Sequence, residues 1–406
     1  MLLLPTTTYK TPDFLAAARE LHVDVTVASE EPSTLESLNP EGLLTLDFRD
    51  PDECAHRAVE FARKYPVDAV VGVDEDTAVA AAVIARALGL PHNPVHATVA
   101  ARHKATMRQL LAEAAVPSPG HRVFDRKEDP KAVAKRVRFP CVLKPTFLAA
   151  SRGVIRANNS EELAAAWERI NGLLDDPEIA AKGGAAAREI LVEDFISGSE
   201  VALEGLLRQG ELKVLALFDK PDPLEGPYFE ETIYVTPSRL DQEMQERIAQ
   251  VASHGALALG LRDGPVHAEL RVNESGPWLI EIAARSIGGL CSRTLRFGTG
   301  MSLEELILRH ALRKEMPEPE RDRRAAGVMM IPIPRAGVLE EVRGLAEARA
   351  VPDIEDVTIS AHVGQTLVPL PEGSRYPGFI FSRAATPERA EAALREAHAL
   401  LEFVVS

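Results

Sequence analysis

The sequence predicts a mixed α/β and α+β protein with an N-terminal open parallel sheet, a central domain of longer paired strands, and a small C-terminal α+β domain. Three observations support this prediction. Short apolar strands alternate with helices over residues 1–97. From residue 98 to about residue 313, the strands lengthen and pair with near neighbours. Over residues 326–406, further strands precede a well-marked final helix.

The first part alternates strands at 2–4, 23–28, 43–46 and 67–73 with helices at 12–22, 52–65 and 77–88. Strands that alternate with helices of this length form parallel sheets covered on both faces. The acidic stretch Asp74-Glu75-Asp76 follows the fourth strand, at the sheet edge where such folds bind ligands. Acids also favour a helix start through its dipole, so both interpretations of this stretch stay open.

In the central part, the pattern predicts a helix over 99–115, strands at 142–144 and 154–156 that flank one loop, strands at 191–195 and 201–207 that flank another, and a hairpin of 266–272 with 278–284. A charged stretch with two prolines, 313–324, is the predicted linker. Beyond it, strands are expected at 328–333 and 356–362. The final helix begins with Thr386 as N-cap and Pro387 in the first turn.

Composition and motifs argue against several classes of protein. The net charge of -15 repels nucleic acid and anionic membranes at long range, so neither is expected as a partner. No stretch approaches the roughly 20 apolar residues of a membrane helix. Neither a G-x-G-x-x-G after the first strand nor a G-x-x-x-x-G-K-[ST] is present, which disfavours dinucleotide dehydrogenases and P-loop enzymes. The cysteines lack C-x-x-C spacing, which fits reduced thiols in the cytoplasm.

The predicted hairpin over 266–285 contains the most informative group of candidate metal-binding and catalytic side chains. A three-residue turn over 274–276 would place Glu269 opposite Glu281, and His267 opposite Ala283. Cross-strand Cβ atoms lie about 5 Å apart, so two carboxylates there repel by about 3 kcal/mol at an effective dielectric near 20. A sequence that keeps both needs a compensating cation, and carboxylates with phosphate oxygens and water are typical Mg²⁺ ligands.

Period-two geometry gives this hairpin one wholly apolar face, formed by Val266, Ala268, Leu270, Val272, Ile280, Ile282 and Ala284. The other face carries the two glutamates with His267, Arg271 and Arg285. A half-exposed hairpin in which the arginines pair with the glutamates explains this spacing equally well. Spacing alone therefore leaves the metal site and the ion pairs as alternatives.

With its surroundings, this hairpin resembles the metal-binding end of the ATP-grasp superfamily, and the resemblance covers nearly the whole chain. Within the superfamily, the chain is similar to the carboxylate–amine ligases that make dipeptides, the L-amino acid ligases. The glycines Gly327, Gly337, Gly364 and Gly378 belong to a run similar to their tail domain. The resemblance implies an N-terminal domain at 1–97, an ATP-grasp domain at 98–313 whose two α+β subdomains clasp ATP, with a lid at about 136–195, and a C-terminal domain at 326–406.

The resemblance implies ATP as cofactor and assigns its phosphates to two lysines and a loop. Lys104, within His103-Lys104-Ala105, and Lys144, within Leu143-Lys144-Pro145, match phosphate-contacting lysines, and Lys144 also reaches the adenine side. The flexible lid loop corresponds to residues 145–153, which are poorer in glycine than the family pattern. Its expected phosphate contacts are Ser151, Arg152 and Gly153.

The stretch 193–200 matches the hinge that holds the nucleoside. The resemblance implies that Glu193 and the backbone of Phe195 and Ile196 contact the adenine. Glu200 is expected to accept hydrogen bonds from the ribose hydroxyls. Without the other motifs, this stretch would read as a polar turn between strands.

Glu269 and Glu281 match the two ligands of Mg²⁺, for which Mn²⁺ is a possible substitute. Ala283 stands where the family usually has a metal-binding asparagine, which leaves the number of metal ions open. Arg285 matches the catalytic arginine near the transferred phosphate and the substrate carboxylate. His267 is expected to contact the acyl phosphate.

The residues after Arg285 are expected to bind the substrate. Ser286, Gly288 and Gly289 precede a predicted helix near Leu290, where backbone donors hold anions. Glu230 or Glu231 is a candidate partner for a substrate ammonium group, and a solvated loop is the alternative for that stretch.

The implied reaction is ATP-dependent ligation. A carboxylate attacks the γ-phosphate, and an amine then displaces phosphate from the acyl phosphate, which gives an amide and ADP. The resemblance implies small carboxylates and amines, expected to be amino acids, as substrates, and the family suggests a homodimer. The alternatives are a biotin carboxylase-like ligase that forms carboxyphosphate and an ATP-binding module without ligase activity.

Overall fold

The computed structural model describes residues 1–316, 321–322 and 324–406, so the predicted linker at 313–324 lies partly outside the described residues. The N-terminal elements are β1 (Leu2–Leu3), α1 (Thr11–Glu20), β2 (Val27–Ser29), β3 (Leu43–Thr45), α2 (Pro51–Ala62), β4 (Val71–Gly72) and α3 (Glu75–Ala87). The strands pair in parallel in the order β3-β2-β1-β4. The predicted open parallel sheet is therefore confirmed.

Helices cover both faces of this sheet because successive side chains of β1 point to opposite sides. Leu2 and Leu4 pack in the apolar cluster that contains Phe14 of α1. Leu3 packs in a different cluster, with Ala58 of α2 and Ile84 of α3. The residues that follow β1 and β4, at the carboxyl ends of these strands, line a cleft together with later segments of the chain.

The helix predicted over 99–115 is wrong in one respect, because it is divided into α4 (Val95–Arg102) and α5 (Lys104–Glu113). His103 interrupts it with extended backbone, and its Nδ1 accepts a hydrogen bond from the Thr106 N–H at 3.3 Å. A side-chain acceptor at this position satisfies one of the free N–H groups of a new helix start. The break places Lys104 at the first position of α5.

A second, antiparallel sheet, called the lid sheet here, follows in the order β5-β8-β6-β7. Its elements are β5 (His121–Asp125), α6 (Pro130–Ala134), β6 (Cys141–Pro145), β7 (Ile155–Ala157), α7 (Ser160–Leu174), α8 (Pro177–Gly183), a 3₁₀ helix (Gly184–Arg188) and β8 (Glu189–Asp194). Trp167 of α7 is buried against this sheet and donates through Nε1 to the Arg126 carbonyl at 3.0 Å. The lid sheet thus has a core of its own.

The central antiparallel sheet has the order β13-β12-β9-β10-β11-β14-β18-β16 within the described residues. Its first half comprises β9 (Ser199–Arg208), β10 (Glu211–Lys220), β11 (Ile233–Thr236), α9 (Gln242–Leu259), β12 (Gly264–Asn273) and β13 (Gly276–Ala283). A 3₁₀ helix (Cys291–Thr294) stands where a helix near Leu290 was predicted, and α10 (Leu303–Ala311) follows.

The last elements are β14 (Ala325–Met330), β15 (Gly337–Arg343), α11 (Leu345–Arg349), β16 (Ile354–Ile359), β17 (Thr366–Leu367), β18 (Gly378–Ala384), α12 (Pro387–His398) and β19 (Glu402–Val405). β14 pairs with β11, so strands on both sides of the predicted linker share the central sheet. The domain boundaries themselves stay a prediction. Thr386 caps α12 as predicted, accepting from the Arg389 N–H at 3.3 Å.

The hairpin β12–β13 places Glu269 opposite Glu281 and His267 opposite Ala283, as predicted. The turn that produces this register is shorter than predicted, because β13 already begins at Gly276. A bulge between Glu269 and Leu270 restores the pairing. In consequence Leu279 is buried in the apolar core, while Ile280, predicted for that face, lines a cleft.

Gly198 allows the entry to β9 to lie against β12. Its φ is +114°, and a Cβ atom there would lie 2.1 Å from the Val272 carbonyl oxygen. We expect Gly198→Ala to destabilise the fold by about 1–3 kcal/mol through strain and contact, measured by urea unfolding. Gly210→Ala is the matched control, because its φ is +91° but its Cβ position is open. Equal losses in both variants would contradict the steric argument.

Candidate active site

A cleft of about 340 Å³ lies between the lid sheet, the central sheet and the carboxyl ends of the N-terminal strands. It brings together most of the predicted site residues, namely Lys104, Lys144, Ser151, Arg152, Glu193, Phe195, Ile196, Glu200, Glu231, His267, Glu269, Glu281, Arg285, Gly288 and Gly289. Gly153, Ser286 and Glu230 are not among the residues that line it. The cleft is lined by both acids and cations.

Glu193 is buried at the lid end of the cleft between two cations. Its Oε2 lies 2.8 Å from Lys144 Nζ, and its Oε1 accepts from Arg108 Nε at 2.6 Å. Burial alone would raise the pKa of Glu193, but Arg108 and Lys144 lower it below its ordinary value. Glu193 is therefore ionised, and it holds Lys144 at the cleft.

Arg108 is a site residue that sequence reasoning missed. Its side chain is fully buried, and besides Glu193 it donates to the carbonyls of Leu279, at 3.5 Å, and Ile280. One guanidinium thus joins α5, β8 of the lid sheet and the bulge of the hairpin. The only sequence signal was its position four residues after Lys104, on the same face of the helix.

The buried pairing of Glu193 predicts a pH-dependent stability. A carboxylate with a lowered pKa stabilises the fold above its ordinary value of 4.5, and this contribution is lost as the pH falls through the folded-state value. Glu193→Gln should lose about 3–5 kcal/mol at pH 7, because two buried cations lose their partner. The difference in the free energy of unfolding between Glu193→Gln and the unsubstituted protein should narrow below pH 4.5.

Urea unfolding at a series of pH values measures this difference. Asp175→Asn is the control, since Asp175 is exposed and pairs with Arg126 at 2.8 Å. A difference that stays constant with pH would contradict the assignment of Glu193 as a buried carboxylate.

The two hairpin carboxylates each have a lysine partner. Glu281 Oε2 lies 3.0 Å from Lys104 Nζ, and Glu269 Oε1 lies 3.6 Å from Lys220 Nζ. Burial would raise the pKa of Glu281, but Lys104 and Lys144 lower it to about 2. Two lysines therefore offset the predicted repulsion, and the argument that this repulsion alone requires a metal ion is wrong.

Lys220 lies among three acids and was not predicted as a site residue. Its Nζ lies 2.8 Å from Glu200 Oε1 and also contacts Glu231. Burial would lower the pKa of Lys220, but Glu200, Glu231 and Glu269 raise it well above its ordinary value. The sequence signal was Asp219-Lys220-Pro221 at the end of a strand, but only the sheet order brings it beside these acids.

The arginines predicted as possible partners of the hairpin glutamates pair elsewhere. Arg271 Nε lies 3.0 Å from Glu200 Oε2, and Arg285 Nε lies 2.9 Å from Glu75 Oε2. Glu75 begins α3, so the acidic stretch 74–76 is both a helix start and part of the cleft wall. The two interpretations of that stretch are therefore compatible.

His267 is buried between two carboxylates. Its Nδ1 lies 3.2 Å from Glu204 Oε2, and its Nε2 lies 3.5 Å from Glu269 Oε1. Burial lowers the pKa of His267, although Glu204 opposes this, and burial raises the pKa of Glu204. The imidazole is therefore neutral near pH 7.

Lys10 is a buried cation that joins the N-terminal sheet to the loop after Arg285. Its Nζ donates to the Val73 carbonyl at 2.9 Å and to Ser286 Oγ at 3.2 Å, and it lies 3.4 Å from Asp74 Oδ1. Nothing in its local sequence predicted this role. Its contacts place Ser286 behind the cleft wall.

The hinge carries an aromatic ring, Phe195, with two guanidinium groups over it. Arg156 Cζ lies 4.0 Å and Arg271 Cζ lies 5.0 Å from the ring centroid. The Phe195 N–H donates to the Pro140 carbonyl at 3.1 Å, and the Ile196 carbonyl accepts from Arg271 at 2.7 Å. In the described part of the chain, the Phe195 carbonyl and the Ile196 N–H have no hydrogen-bond partner.

The lid loop at 145–153 is attached to the C-terminal part of the chain. The Gly153 N–H donates to the Pro371 carbonyl at 2.8 Å, and Arg152 Nε donates to the Glu372 carbonyl at 2.7 Å. Arg169 of α7, the helix packed on the lid sheet, forms a two-pronged pair with the Glu372 carboxylate, at 2.5 and 2.9 Å. Arg152 thus faces a protein carbonyl as well as the cleft.

The hairpin suits a divalent cation. Glu269 and Glu281 leave 23% and 25% of their side chains exposed, and both line the cleft from neighbouring strands. Carboxylate oxygens are the donors that Mg²⁺ prefers. A second set of oxygens, from Glu200, Glu231 and Glu269, lies within 4.8 Å of one another, but the Lys220 ammonium is already among them.

Comparison with known proteins agrees with this geometry. Residues 15–92 match the ATP-grasp N-terminal domain, residues 137–294 the ATP-grasp domain, and residues 329–406 the L-amino acid ligase C-terminal domain 2. The crystal structure of an L-amino acid ligase from Bacillus licheniformis is 26% identical with a TM-score of 0.84, over 100% of this chain and 98% of that one.

Two enzymes of known activity are also similar. Alanine–anticapsin ligase of Bacillus subtilis is 29% identical over 276 residues, which cover 64% of this chain and 58% of that protein. Carnosine synthase 1 of Gallus gallus is 28% identical over 353 residues, which cover 81% of this chain and 38% of that protein. The chain therefore spans little more than half of the first enzyme and less than half of the second.

These matches, with the cleft, define an ATP-grasp protein. The chain carries an ATP-grasp domain behind an ATP-grasp N-terminal domain, and within this superfamily it is similar to the carboxylate–amine ligases of the L-amino acid ligase kind, as the sequence predicted. Among the described residues, no helix is both long and apolar enough to cross a membrane.

Proposed function

We propose that this enzyme joins the carboxyl group of one amino acid to the amino group of another, with ATP converted to ADP and phosphate. The observation that carries the proposal is one cleft in which Lys104 and Lys144 lie beside the paired carboxylates of Glu269 and Glu281. Fixed cations for phosphates next to a divalent-cation site are what phosphoryl transfer requires. The amino-acid substrates of the relatives support the substrate class.

ATP binds with its base at the hinge. The free carbonyl of Phe195 and the free N–H of Ile196 offer adjacent acceptor and donor groups for the adenine edge, which supports the adenine contact that the family resemblance implies for these two residues. Glu193 holds Lys144 toward the phosphates, and Glu200 remains the predicted partner of the ribose hydroxyls. Lys104, which pairs with Glu281 in this structure, moves to the phosphates when ATP and the cation bind.

Glu269 and Glu281 hold Mg²⁺, with Mn²⁺ as a substitute. Bound there, the cation neutralises phosphate charge during transfer. Ala283, at the position of the family asparagine, is buried opposite His267 and has no donor atom. The protein ligands we propose are therefore carboxylates alone.

The substrate carboxylate binds near Arg285 and the backbone of Gly288 and Gly289. Arg285, held by Glu75, fixes the carboxylate so that one of its oxygens attacks the γ-phosphate, which gives an acyl phosphate and ADP. The amine then attacks the carbonyl carbon, phosphate leaves, and the amine loses a proton. Glu231, whose carboxylate lies within 4.8 Å of that of Glu269 in the cleft wall, is the proposed partner of the substrate ammonium group.

Phosphate release across a panel of amino-acid pairs, with mass spectrometry of the products, tests the function. We expect Mg²⁺-dependent phosphate release that requires two amino acids and gives a product lighter than their sum by one water. Bicarbonate-dependent and biotin-dependent release would instead indicate a carboxyphosphate-forming enzyme. ATP binding without release in any mixture would indicate a binding module.

Loss of either hairpin carboxylate should abolish most of the activity. We expect Glu269→Gln and Glu281→Gln each to lower kcat by about 10²-fold or more, because each removes a charge that holds the cation at the phosphates. Glu274→Gln, in the exposed turn of the same hairpin, is the matched control and should keep kcat. Steady-state rates over a range of Mg²⁺ concentrations measure the effect. Unchanged kcat in the site variants would refute the assignment.

The attachment of the lid should keep water from the acyl phosphate. Glu372→Gln removes the ion pair with Arg169, whose worth at an exposed site is about 0.2–1 kcal/mol, so phosphate released per amide formed should rise by up to about fivefold. Glu128→Gln, which breaks the exposed pair with Arg136 at 2.7 Å on the same lid, should leave this ratio unchanged. Equal ratios in both variants would argue against a role of Glu372 in lid closure.

The cytoplasm is the enzyme's proposed location, supported by three free, buried cysteines whose thiol pKa values burial raises. A homodimer is proposed from the family resemblance. Sedimentation equilibrium would distinguish a dimer from the 44.1 kDa monomer.

A further inference from the structure

Glu204 is a fully buried acid on β9 that the reaction outlined above does not use. It lies directly opposite His267 in the β9–β12 pair, and its side chain is 0% exposed. It does not line the cleft, so it does not touch substrates. A buried carboxylate is expensive unless it is paired and hydrogen-bonded, so its position requires an explanation.

The contacts of Glu204 are directed at two parts of the active site. Oε2 lies 3.2 Å from His267 Nδ1 and accepts from the Ile287 N–H at 3.0 Å. Oε1 has no hydrogen-bond partner among the described residues. Oε2 therefore contacts both the hairpin, at His267, and the loop after Arg285, at Ile287. Oε1 lacks such a contact in the described part of the chain, so part of the free-energy cost of burying this carboxyl group is not offset.

This arrangement fixes the tautomer of His267. An ionised carboxylate has no proton to donate, so with Glu204 ionised its Oε2 accepts from both the Ile287 N–H and His267, and Nδ1 then carries the imidazole proton. Nε2 is then the unprotonated nitrogen, and it is the one that lies toward Glu269. Ring orientation and tautomer are thus set by one partner behind the cleft wall.

We infer that Glu204 is a positioning residue, which holds the His267 ring with Nε2 toward the cleft and ties it to the substrate-binding loop at Ile287. The inference rests on the proposed function for its effect on rate, but the hold on the ring is independent of that function. If Glu204 holds the ring in this way, the orientation and tautomer of His267 depend on an acceptor oxygen at position 204 and not on a negative charge there. Glutamine keeps an acceptor oxygen, whereas methionine keeps the length of the side chain and removes it.

The direct test is ¹⁵N NMR of histidine-labelled protein. The chain has 11 histidines, and the resonance absent from His267→Asn identifies His267. We expect the Nδ1–H tautomer in the unsubstituted protein and in Glu204→Gln, and its loss in Glu204→Met. The matched control is Glu304→Met, since Glu304 is a buried acid of α10 that does not line the cleft, and it should leave the His267 signal unchanged. An Nε2–H tautomer in the unsubstituted protein overturns the inference, even if no variant folds.

The kinetic test is a double-mutant cycle with His267→Asn. We expect Glu204→Met to lower kcat by about tenfold or more, as for other partners that orient a site histidine, with the KM for ATP unchanged and Glu204→Gln close to the unsubstituted enzyme. The double variant should be no slower than His267→Asn alone, because Glu204 acts through His267. Losses that multiply, or a fully active Glu204→Met, overturn the inference. An enzyme that ligates no amino acids but shows the expected tautomers would refute the proposed function and leave the hold on His267 intact.

Discussion

Two carboxylates, Glu269 and Glu281, face each other across neighbouring strands, and the arrangement of the cleft follows from keeping both charges there. The structure assigns each a lysine, Lys220 to the first and Lys104 to the second. Each lysine comes from a different element, one from the end of β10 and one from the start of α5. The hairpin charges therefore hold the central sheet and the helix beside the lid in a fixed relation.

Farther from the hairpin, other buried cations also connect separate elements around the cleft. Arg108 links Glu193 to the hairpin carbonyls, and Lys10 links the N-terminal sheet to Ser286. Buried ions of this kind are a poor source of net stability, but removal of one partner is strongly destabilising. Such a network favours one arrangement of the cleft over others, which suits a site that must align two substrates and ATP.

The sequence predicted those features that depend on local pattern. The alternation of strands and helices and the cap at Thr386 each identified an element correctly, and the period-two faces of the hairpin were correct except that Ile280 lines the cleft. The Glu269–Glu281 register was also correct, although it arises from a shorter turn and a bulge. A turn that is one residue shorter and a bulge of one residue change the strand register by equal and opposite amounts. The sequence pattern therefore does not distinguish this arrangement from a longer turn without a bulge.

The missed features depend on contacts between distant segments. His103 divides a helix through its own side-chain acceptor, and no periodicity marks this. Lys220 reaches Glu200, Glu231 and Glu269 only because β9 lies between β10 and β12 in the sheet. The joining of β14 to β11 follows from pairing between segments about 90 residues apart, for which a single sequence carries no pattern.

Anomalous diffraction from crystals grown with Mn²⁺ and a non-hydrolysable ATP analogue tests the central claim most directly. The account predicts a manganese peak bridging the side chains of Glu269 and Glu281, with the Lys104 ammonium moved from Glu281 to a phosphate oxygen. A peak held instead by Glu200 and Glu231, or Lys104 still paired with Glu281 in the nucleotide complex, would contradict it.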